Sequence, residues 1–514
     1  MGRRVPLLAM LILAAYFGTL AILAVASAHR LRLALRALSA GQGPAQRAPR
    51  APDPWPRVVV QLPLYNERFV AERVIAAAAG LDYPRDRLEI QVLDDSTDET
   101  VAIAARAVAQ WASQGLNIRH LRRSDRRGFK AGALAQGLAA SSAELIAIFD
   151  ADFSPRPSFL REAVAMLEAD PALGLIQARW AHANANVSWL TRVQALLLDA
   201  HFRIEHRARD LAGHAFNFNG TAGVWRRRAI EEAGGWSADT LTEDLDLSYR
   251  AQLAGWRFQY RDDLEVQGEL PESWSAFRAQ QSRWVRGGTQ TAQKLLPAVL
   301  RAERWSISKR TEALLHLLGN SAYVWLALLG LLLPAAVVLR HELGAAVPGG
   351  ATTLALLDIA SLGAGTLAIT VFYGCASWLS ARRLALPTIA LALAVGAGLS
   401  VHNGLEALRA MVGGQLPFVR TPKRGAAELG LALRTYRAPL PPGSVLLELL
   451  GALLHAGTIV YAASVGSWGA VPFLGLYFVG FAFTAGSSLR EAWSLRPSRR
   501  PALPLTVTSD RRGG

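Results

Sequence analysis

Hydrophobic and polar residues are segregated along this chain, in which 51% of the 514 residues are hydrophobic. Most of the apolar runs are long enough to cross a bilayer as helices. They cover residues 6–28, 312–339, 351–379, 384–411, 445–467 and 469–487. Residues 57–300 have the composition of a soluble domain. The pattern therefore predicts a soluble domain inserted into an α-helical, multi-pass membrane domain.

The first apolar run allows two interpretations. Basic residues precede it and Ala26-Ser27-Ala28 resembles a cleavage site, which is typical of a signal peptide. The run is longer than the usual apolar core of a signal peptide, however, and the arginine-rich residues 30–36 follow it closely. Because basic residues favour the cytoplasmic side, we expect an anchoring helix over residues 1–30 and a linker over residues 31–56.

Basic loops set the expected number of membrane crossings. Arg382, Arg383 and the basic segment 409–437 are predicted to be cytoplasmic, so residues 384–411 between them should not make a simple crossing. Glu406 in this run supports an interfacial or re-entrant element instead. We therefore expect five crossings, with six as the alternative.

Short apolar runs of strand length alternate with helical stretches through the soluble region. They cover residues 58–62, 88–93, 117–121, 145–149 and 173–177. Strands interleaved with helices predict βαβ units and an α/β fold with a mostly parallel sheet. In such sheets ligands bind beyond the carboxyl ends of the strands, where several polar clusters of this sequence fall.

Charge and cysteine content narrow the functional classes. The net charge of +15 could indicate nucleic-acid binding, but much of it lies near the membrane and in the tail, residues 490–514. Attraction to membrane lipids explains these charges better, so we expect no nucleic-acid partner. The single cysteine, Cys375, excludes a disulfide framework and a cysteine zinc site within this chain.

Three acidic clusters carry candidate chemistry. Asp94 to Asp98 follow the strand 88–93 and could accept hydrogen bonds from a nucleobase or ribose. Asp150-Ala151-Asp152 follow the strand 145–149, and two such carboxylates can bind Mg²⁺ or Mn²⁺. Thr242-Glu243-Asp244 open a helix, and Asp244 could act as a general base. The alternative interpretation is that the first and third clusters merely cap helices.

Basic and small residues complete the candidate set. Lys130 opens a helix, where it could contact phosphate, although a solvated lysine is the alternative. The turn Asn219–Gly223 would allow a substrate to approach the backbone closely, but it could equally be an ordinary turn. The histidines lack a zinc-protease pattern, and we interpret them as ordinary polar residues.

The segment Gln280–Trp284 lies between the soluble region and the later apolar runs. Arg283 offers a planar fork of donors for phosphate oxygens, and Trp284 offers a flat face for a sugar ring. An arginine and a tryptophan beside a membrane are also typical of an interfacial anchor. The acidic clusters favour the catalytic interpretation.

The joint order of these motifs resembles the membrane-embedded, processive members of glycosyltransferase family 2, which include cellulose and hyaluronan synthases. The likeness is closer to the cellulose-synthase-like A and C branches, in the segments Gln91–Asp98, Gln177–Trp180, Phe218–Gly223 and Glu243–Leu247. Residues Phe418–Lys423 resemble the family's gating loop. The resemblance implies a GT-A-like nucleotide-sugar-binding domain over residues 57–270.

The resemblance also implies a role for each matching residue. The roles are nucleotide and donor binding by Tyr65, Glu67, Asp94, Asp95, Lys130, Gln280 and Arg283, metal binding by Asp150 and Asp152, catalysis by Asp244 and Glu243, acceptor binding by Trp284, Gly220 and Thr221, and gating by Phe418, Arg420, Thr421 and Lys423. The remaining expected regions are interfacial helices over residues 271–310, a membrane domain over residues 311–489 with its gating loop near residues 413–443, and the tail.

One base without an evident enzyme nucleophile predicts a single inverting displacement. We expect transfer of a hexose from GDP-mannose or UDP-glucose to the non-reducing end of a growing β-linked polysaccharide, with coupled export. The alternative is a non-processive transferase that adds one sugar to a lipid acceptor. The expected location is the plasma membrane, with the catalytic domain on the cytoplasmic side.

Overall fold

A computed structural model describes residues 7–39, 49–344, 350–413 and 441–494 of the chain. An eight-stranded sheet forms the centre of the soluble region, in the spatial order β3-β2-β1-β4-β7-β6-β8-β5. The strands are β1 (Val58–Leu64), β2 (Leu88–Asp94), β3 (Ile118–Arg122), β4 (Leu145–Ile148), β5 (Ser154–Pro155), β6 (Leu173–His182), β7 (Gly223–Arg226) and β8 (Arg257–Gly268).

The predicted α/β class and mostly parallel sheet are confirmed. Strands β1 to β4 pair in parallel, and β6 pairs in parallel with β8. The sequence pattern predicted β1 to β4 and β6 but missed β5, β7 and β8. β7 pairs antiparallel with β4 and β6, and β5 pairs antiparallel with β8. β8 is rich in charged residues, so its sequence lacks the apolar run that marks a buried strand.

Helices cover both faces of the sheet. Consecutive strand residues point to opposite faces, so Val58 and Val60 join one apolar cluster while Val59 joins the other. The helices of the soluble region are α2 (Ala71–Ala79), α3 (Thr100–Ser113), α4 (Phe129–Ala139), α5 (Phe159–Ala169), α6 (Trp189–Asp199), α7 (Arg207–Leu211), α8 (Arg227–Glu232) and α9 (Glu243–Leu253). A π-helix, Ala200–His206, connects α6 to α7.

Long apolar helices flank the soluble domain, and within the described ranges six helical segments are long and apolar enough to cross a membrane. The chain is therefore a multi-pass membrane protein. The helices are α1 (Leu7–Ser39), α12 (Ala322–Gly344), α13 (Gly350–Ala381), α14 (Leu386–Val412), α15 (Pro442–Ser464) and α16 (Val471–Ser494). α14 is one continuous helix rather than a broken, re-entrant element. How many of the six helices cross the membrane stays a prediction.

α1 continues well beyond residue 30, where the sequence pattern placed its end. Its last turns bury Leu33, Ala34 and Ala37 against α6, the π-helix and α13. This contact supplies the apolar surroundings that lipid supplies to the earlier turns. The first part of the predicted linker is therefore helical and belongs to the contact between the two domains.

Two helices connect the soluble domain to α12: α10 (Trp274–Leu300) and α11 (Ile307–Leu317). Ser273 caps α10 by accepting a hydrogen bond from the backbone of Ala276 at 3.2 Å. α10 packs against both α9 and α14. It is thus one of the elements that join the soluble domain to the membrane domain. The predicted gating residues Phe418, Arg420, Thr421 and Lys423 lie outside the described residues.

Candidate active site

A cavity of about 620 Å³ lies beyond the carboxyl ends of β1, β2, β4 and β6, where it is closed on one side by α10. This is the edge at which an α/β sheet is expected to bind a ligand. The cavity collects most of the predicted site residues, namely Tyr65, Glu67, Asp95, Lys130, Asp150, Asp152, Gly220, Glu243, Asp244, Gln280, Arg283 and Trp284. Asp94 and Thr221 are buried outside its lining.

Lys130 connects two parts of the cavity, the acidic pair after β4 and the turn at Gly220. Its Nζ donates to Asp150 Oδ1 at 2.6 Å and to the Gly220 carbonyl at 2.8 Å. Burial alone would lower the pKa of Lys130, but the charges of Asp150, Glu243 and Asp244 raise it above its ordinary value. Lys130 is therefore a fixed cation, and the alternative of a solvated lysine is not what the structure shows.

Gly220 allows this close packing. Its φ of +82° lies in the left-handed region that favours glycine. A Cβ at this position would lie 3.0 Å from Asp244 Oδ2 and 3.2 Å from Lys130 Nζ. The turn therefore brings backbone against the acidic and basic groups, as the sequence pattern indicated.

Asp244 has the environment of a general base. Burial, followed by the charge of Glu243, raises the pKa of Asp244 to about 7, although Lys130 opposes the shift. A carboxyl group with this pKa can accept a proton near neutral pH. Thr242 makes no capping bond to α9; its hydroxyl lies 3.1 Å from that of Thr291. Side-chain capping by Thr242 therefore does not explain this cluster.

Asp150 and Asp152 fit a divalent cation. Both line the cavity, and the backbone N–H of Asp150 donates to Thr221 Oγ1 at 2.9 Å. Their carboxylates are hard oxygen ligands of the kind that Mg²⁺ and Mn²⁺ prefer. No group of three or more His, Cys, Asp or Glu side chains within the described ranges has the geometry to hold a metal ion. A bound ion would take its other ligands from water and a diphosphate.

Asp94 and Asp95 of the first acidic cluster have different surroundings. Asp95 lines the cavity and pairs through both oxygens with Arg123. Asp94 is buried, where it accepts hydrogen bonds from Ser96 N at 2.9 Å and interacts with His120 Nε2 at 2.8 Å. Burial alone would raise the pKa of Asp94, but these two partners lower it. Asp94 thus holds the turn while Asp95 faces the cavity.

α10 lies directly on the segment that carries Asp244. A Cβ at Gly287 would approach Thr242 Cγ2 to 2.6 Å, so only glycine permits this contact without displacement. Gln290 Oε1 accepts the backbone N–H of Leu241 at 3.0 Å. The helix that carries Gln280, Arg283 and Trp284 is therefore fastened to the helix that carries the base.

Arg283 is half-buried beside the carboxylates of the cavity. Burial lowers its pKa, while the charges of Glu243, Asp150, Asp244 and Asp152 oppose this change. A guanidinium group so placed is well suited to compensate the negative charge of a diphosphate. Together with Lys130 it gives the cavity two cations beside the acidic groups.

The other face of α10 contacts the membrane helices. Arg278 donates to Glu448 of α15 at 2.9 and 3.0 Å, and Arg286 donates to Glu406 of α14 at 2.7 and 3.0 Å. Between them Ser282 Oγ lies 2.7 Å from His402 Nε2. Glu406, which in the sequence supported an interfacial or re-entrant element, is buried in its ion pair with Arg286.

Several cavity residues were not predicted from the sequence. Arg126 stacks on the Tyr65 ring with its guanidinium carbon 3.2 Å from the ring centroid, and both line the cavity. Trp180 and His182 line it from the end of β6, and His182 Nε2 lies 3.3 Å from Asp199. The signals were present, since Arg126 lies in a basic stretch before Lys130 and Trp180 ends one of the segments that carried the resemblance.

Comparisons with known proteins agree with this geometry. Residues 56–287 match the family model described as glycosyltransferase like family 2. Glucomannan 4-beta-mannosyltransferase 2 of Arabidopsis thaliana is 48% identical over 254 residues, which are 49% of this chain and 48% of that protein. Glucomannan 4-beta-mannosyltransferase 1 of Oryza sativa subsp. japonica is 43% identical over 264 residues, 51% of each chain. The chain spans about half the length of these curated relatives.

Among solved structures, the mannosyltransferase PcManGT from Pyrobaculum calidifontis, in complex with GDP-Man and Mn²⁺, has a TM-score of 0.45 and 24% sequence identity. The likeness covers 79% of this chain and 96% of that chain. The strand-end cavity, its acidic and basic groups and the matched family model support one conclusion. Residues 56–287 match glycosyltransferase family 2 and are homologous to the plant glucomannan 4-beta-mannosyltransferases.

Proposed function

We propose that this protein transfers a mannosyl residue from GDP-mannose to the non-reducing end of a growing glycan at the membrane, where it forms a β linkage, with coupled export of the product. The observation that carries the proposal is the cavity that Lys130, Arg283 and Trp284 line together with Asp95 and the two acidic pairs Asp150/Asp152 and Glu243/Asp244. The identity of 48% to a glucomannan mannosyltransferase favours mannose over glucose as the transferred sugar.

The substrates are assigned to the two ends of the cavity by chemistry. Tyr65, Arg126 and Asp95 offer flat and polar surfaces that suit a nucleobase and ribose. Lys130 and Arg283 lie near the centre, where they compensate the diphosphate charge. Trp284 provides a flat apolar surface on which the acceptor sugar stacks.

The reaction is a single displacement. Asp244 removes the proton from the acceptor hydroxyl as that oxygen forms a bond to the anomeric carbon. The bond between this carbon and the diphosphate oxygen breaks, and the nucleoside diphosphate leaves with the electron pair. Because attack and departure are on opposite faces, an α-linked donor gives a β-linked product.

Asp150 and Asp152 would hold Mg²⁺ or Mn²⁺ at the diphosphate. The ion supplies compensation for the charge that develops on the leaving group. Lys130 and Arg283 would bind the diphosphate oxygens by charge and hydrogen bonding. Thr221 keeps the Asp150 backbone in place through its hydroxyl.

The decisive experiment presents detergent-purified full-length protein with labelled GDP-mannose and UDP-glucose in separate reactions containing Mn²⁺ or Mg²⁺. We expect incorporation from GDP-mannose into a product that β-mannanase degrades and a β-glucanase does not. Incorporation only from UDP-glucose, into a product that a β-glucanase degrades and β-mannanase does not, would contradict the proposal. Product size then separates a polymerase from a transferase that adds a single sugar to a lipid.

A further inference from the structure

We propose that His201 is a positioning residue for sugar transfer, and that it acts on Asp244 and Lys130 through the Asn219–Gly220 turn. His201 belongs to the π-helix behind the cavity and was interpreted from the sequence as an ordinary polar residue. The inference rests on the proposed function only in that it requires a sugar-transfer rate to be measured.

The turn is held from behind by two side chains. Asn219 Nδ2 lies 2.9 Å from His201 Nε2, and the Asn219 backbone N–H donates to Gln177 Oε1 at 3.0 Å. Because the amide nitrogen is a donor, His201 Nε2 must be the acceptor. The hydrogen bond therefore fixes the orientation of the Asn219 side chain.

The front of the same turn contacts the reacting groups. The carbonyl of Gly220 accepts from Lys130, and the α-carbon of Gly220 is packed so closely on Asp244 that a Cβ would lie 3.0 Å from its Oδ2. A shift of the turn by a fraction of an ångström would move the base, the cation or both. Small errors of this kind are costly in catalysis, where a displacement of 1 Å can lower a rate about 100-fold.

Glu205 fixes the tautomer that His201 needs. Its Oε2 lies 3.4 Å from His201 Nδ1, one π-helical turn away. A carboxylate at this nitrogen favours a proton on Nδ1 and leaves the lone pair on Nε2 for Asn219. Single turns of π-helix often occur at functional sites. Here the π-helix presents His201 and Glu205 together to the back of the turn.

The chain of contacts continues to the amino-terminal membrane helix. Glu205 accepts from Arg209 at 3.3 Å, and Arg209 donates to Glu312 at 3.1 Å. Glu312 is buried in contact with His29, at 2.9 Å, and Arg32 of α1. Cations and anions alternate along this path, and removing one would leave a buried charge without compensation. The anchorage of His201 therefore extends from the cavity to α1.

Burial of Glu312 supports the rigidity of this anchor. Burial alone would raise the pKa of Glu312, but its bond with His29 and the charge of Arg209 lower it to about 2. The low pKa favours the charged carboxylate, which is the form that pairs with Arg209 and Arg32.

The test compares two replacements of His201 in the full-length protein. His201→Gln places an amide oxygen near the position of Nε2, so it can still accept from Asn219, whereas His201→Phe keeps the ring shape without an acceptor. We expect His201→Phe to lower kcat by about 10- to 100-fold with the donor KM changed by less than about threefold. We expect His201→Gln to stay within about threefold of the parent.

A double-mutant cycle with Asn219→Ala tests the route. If His201 acts through Asn219, His201→Phe causes no further loss in the Asn219→Ala protein. Additive losses would overturn the proposal, as would parental kcat in His201→Phe. Equal losses in the Gln and Phe variants with parental melting midpoints would also overturn it, because the acceptor atom would then be irrelevant.

Two further arms keep the test decisive. If His201→Phe fails to fold, His201→Asn replaces it, since its shorter amide does not reach Asn219 and should also lower kcat. The parent is assayed with both nucleotide sugars. If the parent uses UDP-glucose alone, the proposed donor GDP-mannose is wrong, and the role of His201 is then measured with UDP-glucose. A parent that turns over neither contradicts both proposals.

Discussion

The two faces of α10 use the same residue types for different purposes. On one face Arg278 and Arg286 are paired with Glu448 and Glu406 in the membrane domain. On the other face Arg283 lines a cavity that also contains acidic groups, the ion-paired Lys130 and space for a ligand. Within nine residues, one helix thus contains arginines that join two domains and an arginine placed to meet a substrate.

The difference lies in what compensates each charge. Arg278 and Arg286 have carboxylate partners at hydrogen-bonding distance and form no part of the cavity lining. Arg283 lies among carboxylates that also surround a volume of about 620 Å³, so additional negative charge can enter. Changes on the membrane-facing side should therefore alter stability, and changes on the cavity side should alter turnover.

The largest expected effect is on the cavity side. Asp244→Asn removes the base while keeping its size, and we expect the rate of sugar transfer to fall by about 10²- to 10⁴-fold. Binding of GDP and the melting midpoint should stay close to those of the parent. Radiolabelled sugar transfer measures the rate, GDP titration measures nucleotide binding, and a thermal melt gives the midpoint.

The control for this substitution is Asp239→Asn, which also changes a carboxylate lining the cavity but one that is paired with Lys294 at 2.8 Å. It should retain most of the activity. Equal polymer yields from Asp244→Asn and the parent would remove Asp244 from the role of base.

The next effect belongs to the membrane-facing side. Arg278→Leu leaves Glu448 buried without its partner, and we expect a loss of roughly 3–5 kcal/mol in stability. Activity per folded molecule should change little. The melting midpoint in detergent and the fraction of monodisperse protein in size exclusion report the loss.

A second substitution identifies the cause. Arg278→Leu combined with Glu448→Leu removes both charges, so much of the lost stability should return. If the double variant is as unstable as Arg278→Leu alone, packing rather than an unpaired charge accounts for the loss. If the single variant melts like the parent, the ion pair does not hold the two domains together.

A smaller effect is expected when one arginine on each face of α10 is replaced by lysine. Arg283→Lys keeps the charge but loses the fork, and we expect a donor KM increased roughly tenfold, about 1.5 kcal/mol, for one lost charge-assisted hydrogen bond. Arg286→Lys should instead lower the melting midpoint and leave the donor KM unchanged. If Arg283→Lys changed only the melting midpoint and Arg286→Lys changed only the donor KM, the roles given to the two faces would be reversed.

The sequence allowed prediction of much of the fold, but unevenly. β4 is a continuous apolar run, and β1, β2 and the start of β6 are mostly apolar, because helices cover both faces of the sheet. β8 could not be recognised in this way, since it contains charged residues such as Arg261 and Asp263, which pair with each other. β7 is buried but only four residues long, too short for an apolar run to mark it.

The candidate site shows a similar division. Motif order indicated Asp150, Asp244 and Arg283, because strand ends and helix starts place such residues at one edge. The partnership of Arg286 with Glu406, 120 residues away, could not be read from local pattern. A lone acid in an apolar run indicates only that some polar contact exists. Its partner is decided by tertiary packing.

The pH dependence of transfer gives the smallest and most selective test of the two faces. Asp244 acts as a base only when deprotonated, and its pKa is raised to about 7. The rate at saturating donor should therefore fall as pH decreases through 7, by about tenfold per unit on the acid side. Glu243→Gln removes a negative neighbour, so it should lower the pKa of Asp244 and move this acid limb to lower pH. Ser282→Ala removes a hydroxyl from the membrane-facing side and should leave the acid side of the pH–rate profile unchanged. If Ser282→Ala shifts this profile and Glu243→Gln does not, the two faces of α10 do not act separately.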